Sequence, residues 1–281
     1  MIIWLASYPK SGNTWLRALI SNYFFSKDGN FDFSLLNQID SFPSERFFIN
    51  YPDKFEKPED TSQYWIKEQE KINKSKKTFF FKTHNALCKI NGNKFTNKEN
   101  TLAAIYILRD PRNIITSLAH HYQVTLDDAL NFMLDKKRGI VSAKDNRYIG
   151  FQALFSWTLN IKSWVDNTLY PTHVVRYEDL QSDTYTTFKN VIEFINKVTN
   201  SNIKFDKEKA KISIKNCKFS NLKKLESQHG FVESISKKGT NEKLNFFNLG
   251  IENNFKKLLS EDLVNKMNDL FQDELVKFKY E

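Results

Sequence analysis

The chain has 281 residues, 40% hydrophobic and 15% aromatic, with 25 Phe, which is enough apolar material for a sizeable core. Its net charge of +9 favours an anionic partner: nucleic acid, an anionic membrane surface or a highly phosphorylated nucleotide. No zinc-finger spacing and no basic heptad helix accompanies that charge, which argues against nucleic acid, and no apolar run reaches the ~20 residues of a membrane span.

In chain order, Ile2-Ile3-Trp4-Leu5-Ala6-Ser7 is short, continuous and partly β-branched, as a buried strand of a parallel sheet should be. Tyr8-Pro9-Lys10-Ser11-Gly12-Asn13-Thr14-Trp15 follows. A helix is predicted next over Thr14–Phe25, with Trp15, Leu16, Leu19, Ile20 and Tyr23 on one face. A strand, a glycine-containing turn and a helix make a phosphate cradle, because turn N–H groups and the first helical N–H groups converge on an anion. Lys10 adds a mobile charge and Thr14 a hydroxyl. The nucleoside-triphosphate loop G-x-x-x-x-G-K-[ST] is absent, since Lys10 precedes Gly12. The plainer alternative is a strand-to-helix turn with an incidental Lys and Thr.

Residues 26–76 hold Pro43, Pro52, Pro58 and many aromatics, and read as an irregular surface excursion. A strand predicted at Thr78–Lys82 brings Lys82 and His84 to its C-terminal edge, where ligands of open α/β sheets bind. His84 is the side chain type best placed to accept a proton near neutral pH, though a lone His is more often structural. The strand Leu102–Leu108 ends at Arg109, and Pro111 opens a helix predicted at Asn113–His121. Arg109 at the strand end and Ser117 about two turns into the helix can flank one anion, a guanidinium gripping it bidentately and a hydroxyl adding one bond. The alternatives are an Arg109–Asp110 pair and, for Arg112, a plain surface residue.

Further helices are predicted at Leu126–Leu134, Gln152–Asp166, Thr184–Val198 and Ser260–Val276, with a strand at Thr172–Arg176. The Lys/Asn-rich stretches 91–100 and 196–218 read as solvated turns and faces. Residues 227–250, with Gly230, Gly239 and Gly250, form a long loop of the kind that is functional or disordered. Cys88 and Cys217 form no disulfide framework and no metal-ligand spacing, so a reducing cytoplasm is the expected compartment, with no signal peptide ahead of Ile2.

The octapeptide 8–15 resembles the 5′-phosphosulfate loop of the sulfotransferases that use PAPS (3′-phosphoadenosine 5′-phosphosulfate) and release PAP (3′-phosphoadenosine 5′-phosphate). Lys82-Thr83-His84 is similar to the tripeptide that carries the family's catalytic base, and Arg109 to Ser117 repeats the spacing of its 3′-phosphate motif. The strand and turn around Tyr177, and the segment opening at Phe219, resemble those that pack on the adenine, with Phe219 expected opposite Trp15; both are equally compatible with ordinary core. Lys237-Lys238-Gly239 is similar to the family's late Arg-Lys-Gly, with Lys237 replacing a bidentate Arg and Leu244 near the usual Trp position.

The resemblance implies an α/β, P-loop-like three-layer fold with a central parallel sheet flanked by helices on both faces, over one domain, residues 1–281. It implies catalytic roles for Lys10, Lys82 and His84. It implies donor binding by Lys10, Ser11, Gly12, Asn13, Thr14, Trp15, Arg109, Ser117, Tyr177, Phe219, Lys237, Lys238 and Gly239, without a metal. Asn13 stands where Thr is common, and its amide is expected to donate to phosphate in its place. The acceptor is a hydroxyl or amine of a small molecule, glycan or lipid. Segments Phe24–Tyr64, Asn85–Lys94, Gln123–Tyr148 and Phe231–Phe247 are the candidates to line its pocket. The rival readings are a nucleotide-dependent kinase of the P-loop class, which should carry Gly-Lys-[ST] and an acidic magnesium ligand, and a non-enzymatic polyanion-binding protein.

Overall fold

The computed structural model describes residues 1–52, 55–144 and 147–280. Its strands are β1 (Ile2–Ser7), β2 (Asp40–Ser41), β3 (Phe79–Thr83), β4 (Lys89–Ile90), β5 (Asn93–Lys94), β6 (Thr101–Leu108), β7 (Gly139–Lys144), β8 (Arg147–Ala153) and β9 (Thr172–Arg176). The helices of the first two thirds are α1 (Asn13–Phe25), α2 (Trp65–Asn73), α3 (Pro111–Tyr122), α4 (Leu126–Leu134), α5 (Trp157–Val165), α6 (Tyr177–Ser182) and α7 (Thr184–Val198). Those of the last third are α8 (Lys207–Asn216), α9 (Phe219–His229), α10 (Phe255–Leu258), α11 (Glu261–Leu270) and α12 (Gln272–Lys277).

Five strands form one sheet in the order β2-β3-β1-β6-β9, and every pairing in it is parallel. Alternation along β1 divides the core. Ile2, Trp4 and Ala6 face a cluster built with α3, α4, α5, α11 and α12, while Ile3 and Leu5 face one built with α1, α7, α8 and α9. The central strand β1 is therefore apolar on both sides, which is why it reads as an unbroken apolar run. The result is the expected three-layer α/β arrangement.

The sequence expectations fail where tertiary packing overrides local composition. Residues 26–76 are no surface excursion: Phe42, Phe48, Phe55 and Trp65 are at most 1% exposed and pack on the first cluster. The polar stretch 196–218 contains α8, which buries Ala210 and Ser213, and Phe95 and Thr96 of the stretch 91–100 are buried too. The helix predicted at Gln152–Asp166 begins only at Trp157: Gln152 and Ala153 belong to β8, Phe155 takes φ +59°, and the Ser156 side chain accepts from Leu159 N as the cap. The last predicted helix breaks at Phe271, whose backbone leaves the helical region and whose ring packs edge-on against Trp157 at 5.0 Å. Among the described residues no helix is long and apolar enough to cross a membrane.

Candidate active site

The parallel sheet delivers β1, β3, β6 and β9 ends to one edge, and there a cavity of about 400 Å³ opens. After β1, the chain turns through Lys10 at φ +67° and Gly12 at φ +97° into α1. Gly12 is required by space as well as by φ, since a Cβ there would stand 2.4 Å from the Tyr177 ring. Gly12 also caps α1 without a side-chain bond, so the first helical N–H groups are left to a ligand at the cavity that Gly12, Asn13 and Thr14 line. The amide of Asn13 donates to Leu5 O at 2.9 Å and Ser7 Oγ at 3.2 Å. It braces the turn against β1, which corrects the expectation that this amide donates to phosphate.

The β1–β3 register pairs Ala6 with Thr83 and so sets His84 beside Ser7. His84 Nδ1 lies 2.8 Å from Ser7 O. A carbonyl only accepts, so Nδ1 carries the proton and Nε2 is the basic nitrogen. Burial, then the Lys82 charge, lowers the imidazole pKa to about 3, so the ring is neutral near pH 7. Lys82 is itself buried and its pKa is lowered by that burial. Lys10 is lowered to about 8 by burial, with Glu233 opposing and Lys82 and Arg109 reinforcing the shift. Its Nζ stands 4.0 Å from the Phe246 ring centroid.

At the β6 end, Arg109 donates to Lys10 O at 3.2 Å and lies 4.1 Å over the Tyr177 ring. Its Nε and Ser11 Oγ are buried without a partner among the described residues; Arg109 lines the cavity, whereas Ser11 does not. Arg109 does not pair with Asp110. Arg112 does, at 2.8 Å, and it also holds Asn268 and the Tyr280 carbonyl, so Arg112 is a buried clamp and no surface residue. Asp110 N in turn donates to Glu178, which accepts from the Tyr280 hydroxyl. Ser117 Oγ and Thr116 Oγ1 both bond Asn253, at 3.0 and 2.6 Å.

Trp15, Tyr177 and Phe219 line the same cavity. Trp15 packs edge-on against Tyr177 at 5.7 Å, and Phe219 against Phe247 at 5.9 Å. Lys237, Lys238 and Gly239 are not among the lining residues: they form an exposed turn tip in which Lys237 faces Glu242 at 3.8 Å and Lys238 bonds Gln123. The late segment reaches the cavity through Phe246, Phe247, Asn248, Leu249, Gly250 and Asn253 instead. Gly250, at φ +58°, packs against Phe219 so closely that a Cβ would stand 2.5 Å from that ring.

Of the candidate acceptor segments, the cavity takes Ser41 from the first, Ile140 from the third and Glu233, Phe246 and Phe247 from the fourth, and no described residue of Asn85–Lys94. Residues 53, 54, 145 and 146 of those segments lie outside the described residues. His120, His121 and Tyr122 complete that side, and burial with the Lys10 charge lowers His121 to about 4. Glu233 and Arg17 had no sequence signal, because neither belongs to a recognisable spacing. Among the described residues, no three His, Cys, Asp or Glu are grouped to hold a metal ion.

The sulfotransferase domain is the family whose sequence profile matches, over residues 2–279. No curated protein matches the chain. Among solved structures, mouse sulfotransferase SULT7A1 complexed with PAP is similar at 19% identity and TM-score 0.56, over 98% of this chain and 84% of that one. Retinol dehydratase in a complex with retinol and PAP is similar at 16% identity and TM-score 0.59, over 98% and 81%. The same enzyme in complex with androsterone and inactive cofactor PAP gives 15% identity and TM-score 0.57, over 98% and 80%.

Proposed function

This chain belongs to the sulfotransferase domain family, and from that premise we propose that it moves a sulfuryl group from PAPS to a hydroxyl or amine of a small-molecule acceptor, glycan and lipid acceptors included. The observation that carries the reading is the meeting of Lys10, the Gly12–Trp15 turn, Lys82, His84 and Arg109 around one cavity. The acceptor oxygen or nitrogen attacks sulfur, and the bond from sulfur to the 5′-phosphate oxygen breaks with its electron pair on that oxygen. Lys10, Lys82, Thr14 and the first N–H groups of α1 stabilise the charge that builds there. His84 Nε2 takes the acceptor proton. Its low basicity in the buried, cation-flanked site is offset by the donor's negative charge, which favours the protonated ring.

On the nucleotide side, Arg109, Ser117 and the Asn248–Gly250 turn hold the 3′-phosphate, and Lys237–Gly239 has no part in it. The unpartnered Nε of Arg109, a cavity-lining residue, supports this fit. Trp15, Tyr177 and Phe219 enclose the adenine. The two core clusters share one sheet, which supports a single domain over 1–281, and free Cys88 and Cys217 accord with a cytoplasmic setting.

The test is a melting-temperature comparison with PAP, ATP and AMP in the absence of magnesium. A shift specific to PAP and lost in Arg109→Ala is expected. Equal shifts with ATP, or none with PAP, would overturn the donor assignment.

A further inference from the structure

Glu233 is the only acidic side chain, among the described residues, that lines a cavity furnished with Lys10, Lys82 and Arg109. Its two oxygens accept three bonds. Arg17 Nη2 reaches Oε1 at 2.8 Å, while Lys82 Nζ at 3.1 Å and Thr14 Oγ1 at 3.3 Å reach Oε2. Burial opposes its charge, but Lys82 and Arg17 outweigh that and hold the carboxyl well below the usual range, so it is an anion at any working pH.

The segment that carries it is built to hold it there. Phe231 packs against Phe33 with the rings tilted and their centroids 4.6 Å apart, and the Glu226 carboxylate accepts from Ser234 Oγ at 2.5 Å, Phe246 N at 2.6 Å and Phe247 N at 2.9 Å. Glu226 thus ties both ends of the 234–246 excursion to α9, while Val232 points outward at 90% exposure and Glu233 inward. Phe246, from the same segment, covers the Lys10 ammonium.

We propose that Glu233 is an internal anion of the cradle that competes with the sulfuryl donor for Lys82 and Thr14, and so sets donor affinity. The inference rests on the donor reading above, which gives those two groups to the phosphosulfate. Two anions cannot share the same two donors in a buried site, because like charges at that range repel strongly and each would leave the other short of a partner. A donor must therefore displace the Glu233 carboxylate from Lys82. Until it does, Glu233 keeps Lys82 and Arg17 from standing buried and unpaired. A ligand of higher charge wins this exchange more readily than a monoanion.

Calorimetric titration of wild type and Glu233→Gln with PAP tests it. Glutamine keeps the shape and removes the charge, so PAP should bind the variant about tenfold more tightly or better, the worth of one charge-assisted bond no longer contested. Inorganic sulfate, read by melting temperature, is a second probe that needs the cradle but no adenosine site. If PAP binds neither protein, the donor reading falls, and a larger sulfate response in Glu233→Gln still supports the competition. Equal or weaker binding of both probes by the variant overturns the competition and leaves Glu233 a positioning residue for Lys82. If the variant does not fold, hydrogen exchange of residues 231–236 in wild type decides: faster exchange with PAP supports displacement, and unchanged or slower exchange refutes it.

Discussion

Replacing Gly12 by alanine separates the shape of the anion loop from its charge. Gly12 sits at φ +97° and ψ 13°, and an L side chain held in such a region costs about 1–3 kcal/mol. The added Cβ would stand 2.4 Å from Tyr177 Cδ2 and 2.9 Å from Cε2, whereas carbon atoms settle at about 3.5–4.0 Å. The ring must retreat by about 1 Å. It has little room, since Tyr177 is 7% exposed, edge-on to Trp15 and stacked under the Arg109 guanidinium at 4.1 Å. Overpacking of this kind adds about 1–3 kcal/mol. The expected loss is about 2–6 kcal/mol, which for a chain of this size lowers the melting temperature by about 4–12 °C. Because the ring is the platform on which Arg109 rests, PAP affinity should fall by about tenfold or more, as misplacement of a binding group does. Urea denaturation and calorimetric titration with PAP read the two effects. A variant within about 0.5 kcal/mol of wild type, with unaltered PAP affinity, would refute the reasoning.

His84→Ala should lower turnover by roughly 10²–10⁴-fold, the worth of a positioned base, with PAP binding retained; near-wild-type turnover removes His84 from the mechanism. Lys10, at about 8, is charged below that pH and neutral above it, so kcat/KM should hold through neutrality and fall as pH rises through about 8. His84, at about 3, is already neutral throughout that range. An acid limb near pH 6.5 in kcat/KM would contradict the buried, cation-flanked imidazole. Lys237→Ala should leave PAP affinity within about twofold, as surface changes away from a site do, and a tenfold loss would return the exposed turn to the nucleotide site.

The parts of the site that could be read in the sequence are those in which one short segment holds both the structural cue and the chemistry. The run 2–15 contains a strand, a turn glycine, a lysine and the start of a helix, while Lys82 near the end of β3, His84 just after it and Arg109 just after β6 mark the sheet edge. The rest depends on contacts between distant segments. Lys237-Lys238-Gly239 offers cations and a glycine, but the tie from Glu226 to Phe246 and Phe247 is what brings Asn248–Gly250 to the cavity. Local composition carries no trace of that tie. Glu233 is hidden for the same reason, since its partners Arg17 and Lys82 lie far away in sequence. Residues 26–76 look like a loop because their aromatics lack a helical or strand period, yet Phe42 and Phe55 fill the core from irregular backbone and Trp65 from the start of α2.

The Arg112 clamp sets an order of events during synthesis. Arg109 and Asp110 are made early, but Asp110 is steadied by Arg112, Arg112 by the Tyr280 carbonyl, and Glu178 by the Tyr280 hydroxyl. At ribosomal speed the interval between residues 110 and 280 is on the order of 10–30 s. Throughout it, the nascent chain holds the loop and the strands of the proposed nucleotide site without the brace beside the β6 end. The Asp110–Arg112–Glu178 network is therefore incomplete until residue 280 has joined the fold, and any cut that removes the last turn after α12 returns the protein to that unbraced condition.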